Sequence, residues 1–437
     1  MHESTSVTDT TAAAALRRGA FRPAALERAG PASGISVELI HHEQGFAALE
    51  DEWRALEARA PACEYFACFD WVWCWWRHFG APSGAAPLLI AARRAGTLVA
   101  LMPLAVDRAG PYRYATLMGN GTGQYGDILA DPAPADPAPA DRTELFAALW
   151  SGLKGARVDA VHFDTVRDDS VLAAFLAPRR KCVGQEQSSY EVDTSAFADF
   201  DAYTASRAAR QRKDLRRRRR RLAEAGSPVY TVVTDPCAIG ETAIRAIELK
   251  REWLAERGLH GRFLARANVG AWLADVAGRA HARGRLHLSV LRVGPTLAAA
   301  QLAFRCGRRL VAYFGAFNVA YSRHSVGRLH LEDHVAEVFE AGWTLDLLPP
   351  GDDYKLEWAS PGAIARSYTV PVSLVGRAAA IVHNPRQRER LKAAYLAIPG
   401  TGRARIAAAL LGLARLFKRA LSGARRPIPP AAEDQQP

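Results

Sequence analysis

Two stretches of the chain carry one hydrophobic pattern. Leu88–Val106 (LLIAARRAGTLVALMPLAV) and Leu288–Phe304 (LSVLRVGPTLAAAQLAF) each run apolar, break at a glycine-containing turn and run apolar again. The turns are Ala95-Gly96-Thr97 and Gly294-Pro295-Thr296, so each stretch reads as strand, turn, strand. A third strand follows in both places, Tyr112–Asn120 and Arg309–Asn318. Thr97 corresponds to Thr296 and Asn120 to Asn318, an offset of about 199 residues. Turn positions and strand lengths agree together, which predicts a tandem duplication.

The second half gives the fuller pattern. Helices are expected at Ser206–Ala225, Gly240–Arg257 and Asn268–Arg283. In the last, Val269, Trp272, Leu273, Val276 and Ala280 share one face. Strands Leu286–Val293, Thr296–Arg305 and Arg309–Asn318 follow, then a polar loop, Ala320–Arg328. The loop opens a helix with a stripe of Leu331, Val335, Val338 and Phe339, and Trp343–Leu348 reads as a short buried strand. In the first half, a helix at Thr143–Leu153 and a strand at Val158–Val166 carry that unit past the Pro/Ala/Asp-rich stretch Asp131–Arg142.

Composition narrows the class. The 437 residues suggest roughly two to three domains. No apolar run is long enough to span a bilayer, and the N-terminus lacks the basic start and apolar core of a secretory signal. The six cysteines (Cys63, Cys68, Cys74, Cys182, Cys237 and Cys306) show neither CxxC nor zinc-finger spacing and read as reduced packing residues. The net charge of +12 is local: ten cations between Ser206 and Leu222 face only Asp214. Six of them, Arg216–Arg221, are consecutive and must wrap a helix, with Leu215 and Leu222 inward. No aromatic is interleaved there, which argues against base reading in a single strand. The run reads as a solvated helix or as a surface for an anionic polymer or membrane. Residues 403–421 form an amphipathic segment that docks on the body or lies on a membrane surface.

The loop before the Leu331 helix is the strongest candidate for chemistry. A strand that enters a Ser/Gly loop and then a helix N-terminus presents unpaired amides and a positive dipole end to an anion. Ser322, Arg323, Ser325, Val326, Gly327 and Arg328 supply small residues and cations there. No GxxxxGK[ST] or GxGxxG is present, which counts against nucleotide hydrolysis and dinucleotide binding.

FDWVWCWWRHFG (Phe69–Gly80), MPLAV (Met102–Val106), GQYGDILAD (Gly123–Asp131), ASRAARQRKDLRRRRRRLAEAG (Ala205–Gly226) and YSRHSVGRLHLEDHVAEVFEAGWTLDLLPPGDDYKLEWA (Tyr321–Ala359) together carry a resemblance. In order and spacing they resemble the CelD/BcsL-type acetyltransferases, a GNAT-superfamily group associated with cellulose and exopolysaccharide production and related to FemABX-type transferases. The resemblance covers about three quarters of the chain, Glu52 to Tyr368.

It implies an α+β fold of tandem GNAT-like domains. Each has a mixed, mainly antiparallel sheet flanked by helices, and a C-terminal helical tail follows. The expected segments are a disordered 1–34, an N-terminal GNAT-like domain at 35–188, a C-terminal acyltransferase domain at 189–376, a helical tail at 377–424 and a disordered 425–437. The implied activity is transfer of an acyl group from acetyl-CoA or another acyl-CoA to an amine or hydroxyl of a small-molecule or saccharide acceptor. Direct attack on the thioester is the expected route, and the location is cytoplasmic or peripheral at the inner face of the membrane. By the same resemblance the loop is the pyrophosphate cradle, although of the cradle glycines only Gly327 is present. The strand Tyr313, Phe314, Gly315, Ala316, Phe317 would pair with the pantetheine arm.

Tyr354 then stands where such enzymes place a thiolate-protonating tyrosine. Asp346, Asp352, Asp353 and Glu357 are candidate bases, and Lys355 and Trp358 are acceptor-binding candidates. His324, His330 and His334 read as surface or satisfied helix histidines. His330 and His334 stand four apart, but no third ligand has suitable spacing, and no metal is expected. Two alternatives remain: a catalytically silent binding protein for an anionic polymer or membrane, and an aminoacyl-tRNA-dependent transferase of the FemABX kind.

Overall fold

In the computed structural model, both glycine turns close antiparallel hairpins. Arg94 pairs with Thr97 at the first and Val293 with Thr296 at the second. Ala95 and Gly96 take positive φ in one turn and Gly294 in the other, which two-residue hairpin turns require. The structure describes residues 34–132, 139–259, 261, 263–349, 351 and 353–383. The expected 403–421 helix, most of the 377–424 tail, the two terminal segments, part of the Pro/Ala/Asp stretch and Asp352 lie outside the described residues.

The first repeat runs β1 Ile35–Ile40, α1 Glu43–Ala48, α2 Glu50–Arg59, α3 Phe69–Trp75, α4 Ala81–Ser83, β2 Ala86–Arg94, β3 Thr97–Ala109 and β4 Tyr112–Leu117. It continues β5 Leu129–Ala130, α5 Pro139–Gly155, β6 Ala160–Arg167, α6 Val171–Leu176 and β7 Val183–Val192. Helices α7 Phe200–Ser206 and α8 Ala209–Glu224 join it to the second. That repeat runs β8 Pro228–Val232, α9 Pro236–Glu256, α10 Val269–Ala282, β9 Leu286–Val293, β10 Thr296–Cys306 and β11 Arg309–Phe317. It ends α11 Val326–Ala341, β12 Thr344–Asp346, α12 Asp353–Leu356, β13 Ser360–Pro371 and α13 Leu374–His383.

All strands join one sheet, in the order β1-β2-β3-β4-β6-β13-β7-β12-β11-β10-β9-β8, with β5 on β3. Each repeat contributes an antiparallel meander followed by a parallel pair, β4 with β6 and β11 with β12. Each parallel pairing lasts three residues, Tyr114–Thr116 and Arg309–Val311, and beyond it the strands separate into an opening. The last strands are exchanged. β13 of the second repeat pairs with β6 of the first, β7 of the first pairs with β12 of the second, and β7 and β13 pair with each other. The expected boundary between 188 and 189 therefore falls inside β7, and the two units share a sheet rather than forming separate ones.

Packing follows the helical periods. The α10 residues Val269, Trp272, Leu273, Val276 and Ala280 are all buried. They meet the aromatic α3 layer, where Trp71 and Trp272 cross edge-on at 5.1 Å between ring centres, a favourable aromatic geometry. One core thus spans both repeats. On the other face α5 and α6 cover the first repeat and α8 and α11 the second. Among the described residues no helix is long and apolar enough to cross a membrane.

Candidate functional site

The loop after β11 enters α11 through Ser325, which takes φ +52, a left-handed conformation uncommon outside glycine and asparagine. The turn is closed by Ser325 N–H donating to the Ser322 carbonyl (3.0 Å) and by Arg328 N–H donating to the Ser325 carbonyl (2.9 Å). Val326 and Gly327 lie in the first helical turn, whose amides have no acceptor within the helix. A Cβ on Gly327 would stand 3.4 Å from Phe317, so the end of β11 packs close against the helix start.

Cations converge there from two directions. Arg218 of α8 donates to Ser325 Oγ (2.5 Å) while Asp214 holds its Nε (2.6 Å). Arg328 pairs with Glu357, and Gln211 donates to the Glu357 carbonyl (3.2 Å). The arginine run is therefore divided. Arg219 bonds Glu332 and Asp333 of α11, whereas Arg216, Arg217, Arg220 and Arg221 are exposed. Leu215 and Leu222 face inward, as the wrapping argument required. The other loop residues are engaged locally: Ser322 Oγ donates to the Val319 carbonyl (2.6 Å) and Arg323 Nε to His324 Nε2 (3.0 Å).

From Ala312 onward β11 has no strand partner on its β12 side, because that pairing stops at Val311. The opening is not bare. A loop of the first repeat reaches into it: Tyr313 Oη donates to the Thr122 carbonyl (3.0 Å), and Tyr125 Oη donates to Asp346 (3.0 Å). Tyr313 and Ala316 are buried, and the Gln301 amide lies against Gly315. Phe314 and Phe317 are half-buried.

The expected catalytic block disperses. Asp346 is wholly buried. It accepts from Arg167 (2.8 Å), Arg309 (3.0 Å), Tyr125 (3.0 Å) and the Leu348 amide (2.8 Å). Burial raises its pKa to about 6 against the pull of both guanidiniums, but with its acceptor positions filled it anchors the seam between repeats and has no place for a substrate proton. Glu64, Glu191 and Asp169 complete that network. Lys355, expected to bind an anionic acceptor, is buried and donates to the Leu348 carbonyl (3.0 Å). Trp358 is core, stacked on Tyr203, whose hydroxyl bonds the Trp358 carbonyl. Glu357 is committed to Arg328. Tyr354 is 43% exposed and of these residues is the one presented to solvent.

A cavity of about 330 Å³ that the sequence reading did not anticipate lies in the opening of the first repeat. It is lined by Trp71, Asn120, Tyr125, Asp127 and Asp164 together with a glycine-rich turn. Gly119, at φ +92, lets that turn pass the buried, unpartnered Trp71 Nε1, which a Cβ there would meet at 2.6 Å. Asp127 Oδ1 accepts from the Ile128 and Leu172 amides, both at 2.8 Å. Desolvation nevertheless raises its pKa to about 7, the range of a general base. The motif GQYGDILAD supplies Gly123, Tyr125, Gly126 and Asp127 of the lining, but nothing along the chain marks it as a pocket. Phe66 and Trp71, which line the cavity, pack against Tyr313 of β11, with ring centres 5.8 and 5.1 Å apart.

The helix histidines are not at the surface. His330 and His334 are buried against β9; desolvation takes His330 down to about 3 and His334 well below its ordinary value.

Residues 209–356 match the family described as Acetyltransferase (GNAT) domain. That span contains α8, the second meander, the loop and α11. No curated protein matches the sequence significantly. Among solved structures the chain is similar to FemX, with a TM-score of 0.51 at 11% identity over 78% of this chain and 100% of that one. The C-terminal domain of a putative lysylphosphatidylglycerol synthetase from Agrobacterium fabrum aligns with a TM-score of 0.47 at 14% identity, over 77% and 95% of the two chains. A tandem GNAT protein from the clavulanic acid biosynthesis pathway gives 0.42 at 15% identity, over 77% and 99%. The chain thus shares its overall fold with FemX, and residues 209–356 of its second half match the GNAT acetyltransferase domain.

Proposed function

We propose that the protein is an acyltransferase that takes its acyl group from acyl-CoA, with the pyrophosphate held at the start of α11. The observation that carries this reading is the helix start itself: Arg218 bonds Ser325 Oγ at the N-cap of α11 and Arg328 stands in its first turn, inside the segment that matches the GNAT domain. Fixed donors and cations around a helix start suit a diphosphate. The free side of β11, Tyr313–Phe317, takes the pantetheine arm. The acceptor enters the first-repeat cavity, whose volume suits a small molecule or one sugar unit. Asp127 accepts the proton of the attacking amine or hydroxyl. Tyr354, left exposed, protonates the departing thiolate. The CelD/BcsL resemblance favours a saccharide acceptor in exopolysaccharide or cellulose formation, at the inner face of the membrane.

A second reading draws on Arg216, Arg217, Arg220 and Arg221, which stay exposed beside the same helix start. They suit an acyl donor carried on tRNA, whose phosphates they would pair. Calorimetry with acetyl-CoA separates the readings. The first expects a single site whose Kd rises about tenfold in Arg328→Ala and in Arg218→Ala, each removing a cation at the start of α11. Replacing the four exposed arginines by glutamine leaves that Kd unchanged. No CoA binding, with aminoacyl-tRNA binding lost in the four-arginine variant, would overturn the first reading in favour of the second.

A further inference from the structure

Helix α11 and strand β9 bring together side chains that the sequence keeps far apart. His330, His334 and Glu337 stand at positions i, i+4 and i+7 of α11, one face of a helix. His287 and Ser289 alternate onto one face of β9. The two faces pack against each other, and His287, His334 and Glu337 place one donor atom each within 4.8 Å of one another.

Hydrogen bonding leaves these groups unsatisfied. His334 Nε2 and both ring nitrogens of His287 are buried without a hydrogen-bond partner. His287 Nε2 lies 3.0 Å from Glu337 Oε2, close enough to share an ion but without the alignment of a hydrogen bond. Buried polar nitrogens are normally paired, and an unpartnered His334 Nε2 beside the His287–Glu337 pair needs an explanation. For His334 and Glu337 the surroundings supply outer contacts of the kind that metal ligands use. Ser289 Oγ stands 3.3 Å from His334 Nδ1 and 3.0 Å from His330 Nε2, and Tyr230 Oη donates to Glu337 (2.5 Å). A proton on His334 Nδ1, given to Ser289 Oγ, turns the Nε2 lone pair toward the cluster.

We propose that His287, His334 and Glu337 bind a divalent transition metal, with zinc as the best-fitting ion, and that this metal clamps α11 to β9. Two imidazoles and a carboxylate form a ligand set that zinc uses with a water in the fourth position. No thiolate belongs to the cluster, which argues against copper(I) and iron–sulfur chemistry. Ligand atoms around tetrahedral zinc stand about 3.4 Å apart for bonds of about 2.1 Å. The His287–Glu337 pair is already inside that spacing, and small side-chain rotations bring in His334. The ion would lie on the flank of α11, more than one helical turn beyond the Ser325–Arg328 turn, so its role is to fix the helix. The inference does not depend on what the turn binds.

The test uses the full chain, stripped with chelator, dialysed and titrated with Zn(II) or Co(II). One equivalent of zinc per chain is expected, together with a tetrahedral cobalt absorption band and a rise in melting temperature. Glu337→Gln and His287→Asn should each weaken binding at least tenfold, and Ser289→Ala by about tenfold as the loss of an orienting contact. His41→Asn, at an exposed position, should change nothing. If the ligand variants fail to fold, X-ray absorption at the zinc edge of the wild-type protein decides: two imidazoles and no sulfur support the site. No stoichiometric binding by the wild type would overturn the proposal. So would sulfur ligation, or undiminished affinity in folded Glu337→Gln and His287→Asn proteins.

Discussion

Replacing Asp127 by asparagine should make the protein more stable at alkaline pH and abolish its activity. Asp127 Oδ1 accepts two backbone amides, and an asparagine Oδ1 accepts both equally well, so geometry is kept. The charge is not. In the fold the carboxyl titrates near 7 because burial penalises the ionised form, whereas the unfolded chain titrates near the ordinary aspartate value. The folded state therefore binds the extra proton between these values, and stability falls as pH rises through that window. At about 1.4 kcal/mol per pKa unit, the full difference sets an upper limit of about 4 kcal/mol above pH 8. Asp127 lines a cavity and is only half-buried, so water there reduces the penalty to about 1–2 kcal/mol. Urea unfolding of wild type and variant at a series of pH values reads the effect as a difference. The two should coincide near pH 4, and the variant should gain about 1–2 kcal/mol by pH 8. A variant uniformly less stable at every pH, or a difference that does not grow with pH, would refute the desolvation argument. A variant that is stabilised but still fully active would leave the electrostatics intact and remove Asp127 from catalysis.

Further outcomes are expected. Tyr354→Phe should lower kcat by about 100-fold with acetyl-CoA affinity retained, because it removes a proton donor and no contact to the cofactor; unchanged kcat assigns the proton to another group. Asp346→Ala removes the buried carboxylate that Arg167 and Arg309 share at closest range, leaving Glu64 between them, and should cost about 3 kcal/mol; a loss under about 1 kcal/mol in denaturant unfolding would mean that water enters the seam. Gly376→Ala would place a Cβ 1.7 Å from the Asp159 carbonyl oxygen and should cost at least ~2–3 kcal/mol or detach α13, seen as a lowered melting temperature.

What could be read from the sequence was local or periodic. The hairpins needed only a glycine turn between apolar runs, and the buried face of α10 needed only its helical spacing, so both were visible. The duplication was visible because the same local pattern recurs at a fixed offset. The exchange of β7 and β13 was not, since nothing in a strand's own residues names its partner. Asp346 shows the same limit in chemistry. Beside Tyr354 in sequence it looks like part of a reacting block, but its partners Tyr125, Arg167 and Arg309 come from distant strands and loops. Lys355 likewise looks like an anion binder until Leu348 O takes its ammonium. Of the histidine pair on α11 only His334 joins the cluster, with Glu337 of the same helix, and His287 comes within reach of them only when β9 packs against the helix.

Because each repeat completes its share of the sheet with the other repeat's final strand, the order of synthesis matters. A ribosome that has released only the first repeat has made β6 with β4 but without β13 on its other side, and β7 with neither of its own neighbours. The central seam cannot zip until Ser360–Pro371 emerges. Until then the nascent chain shows an open β edge, which other chains can pair with. A fragment ending before that strand should aggregate or be held by chaperones, and adding the missing half in trans should restore it.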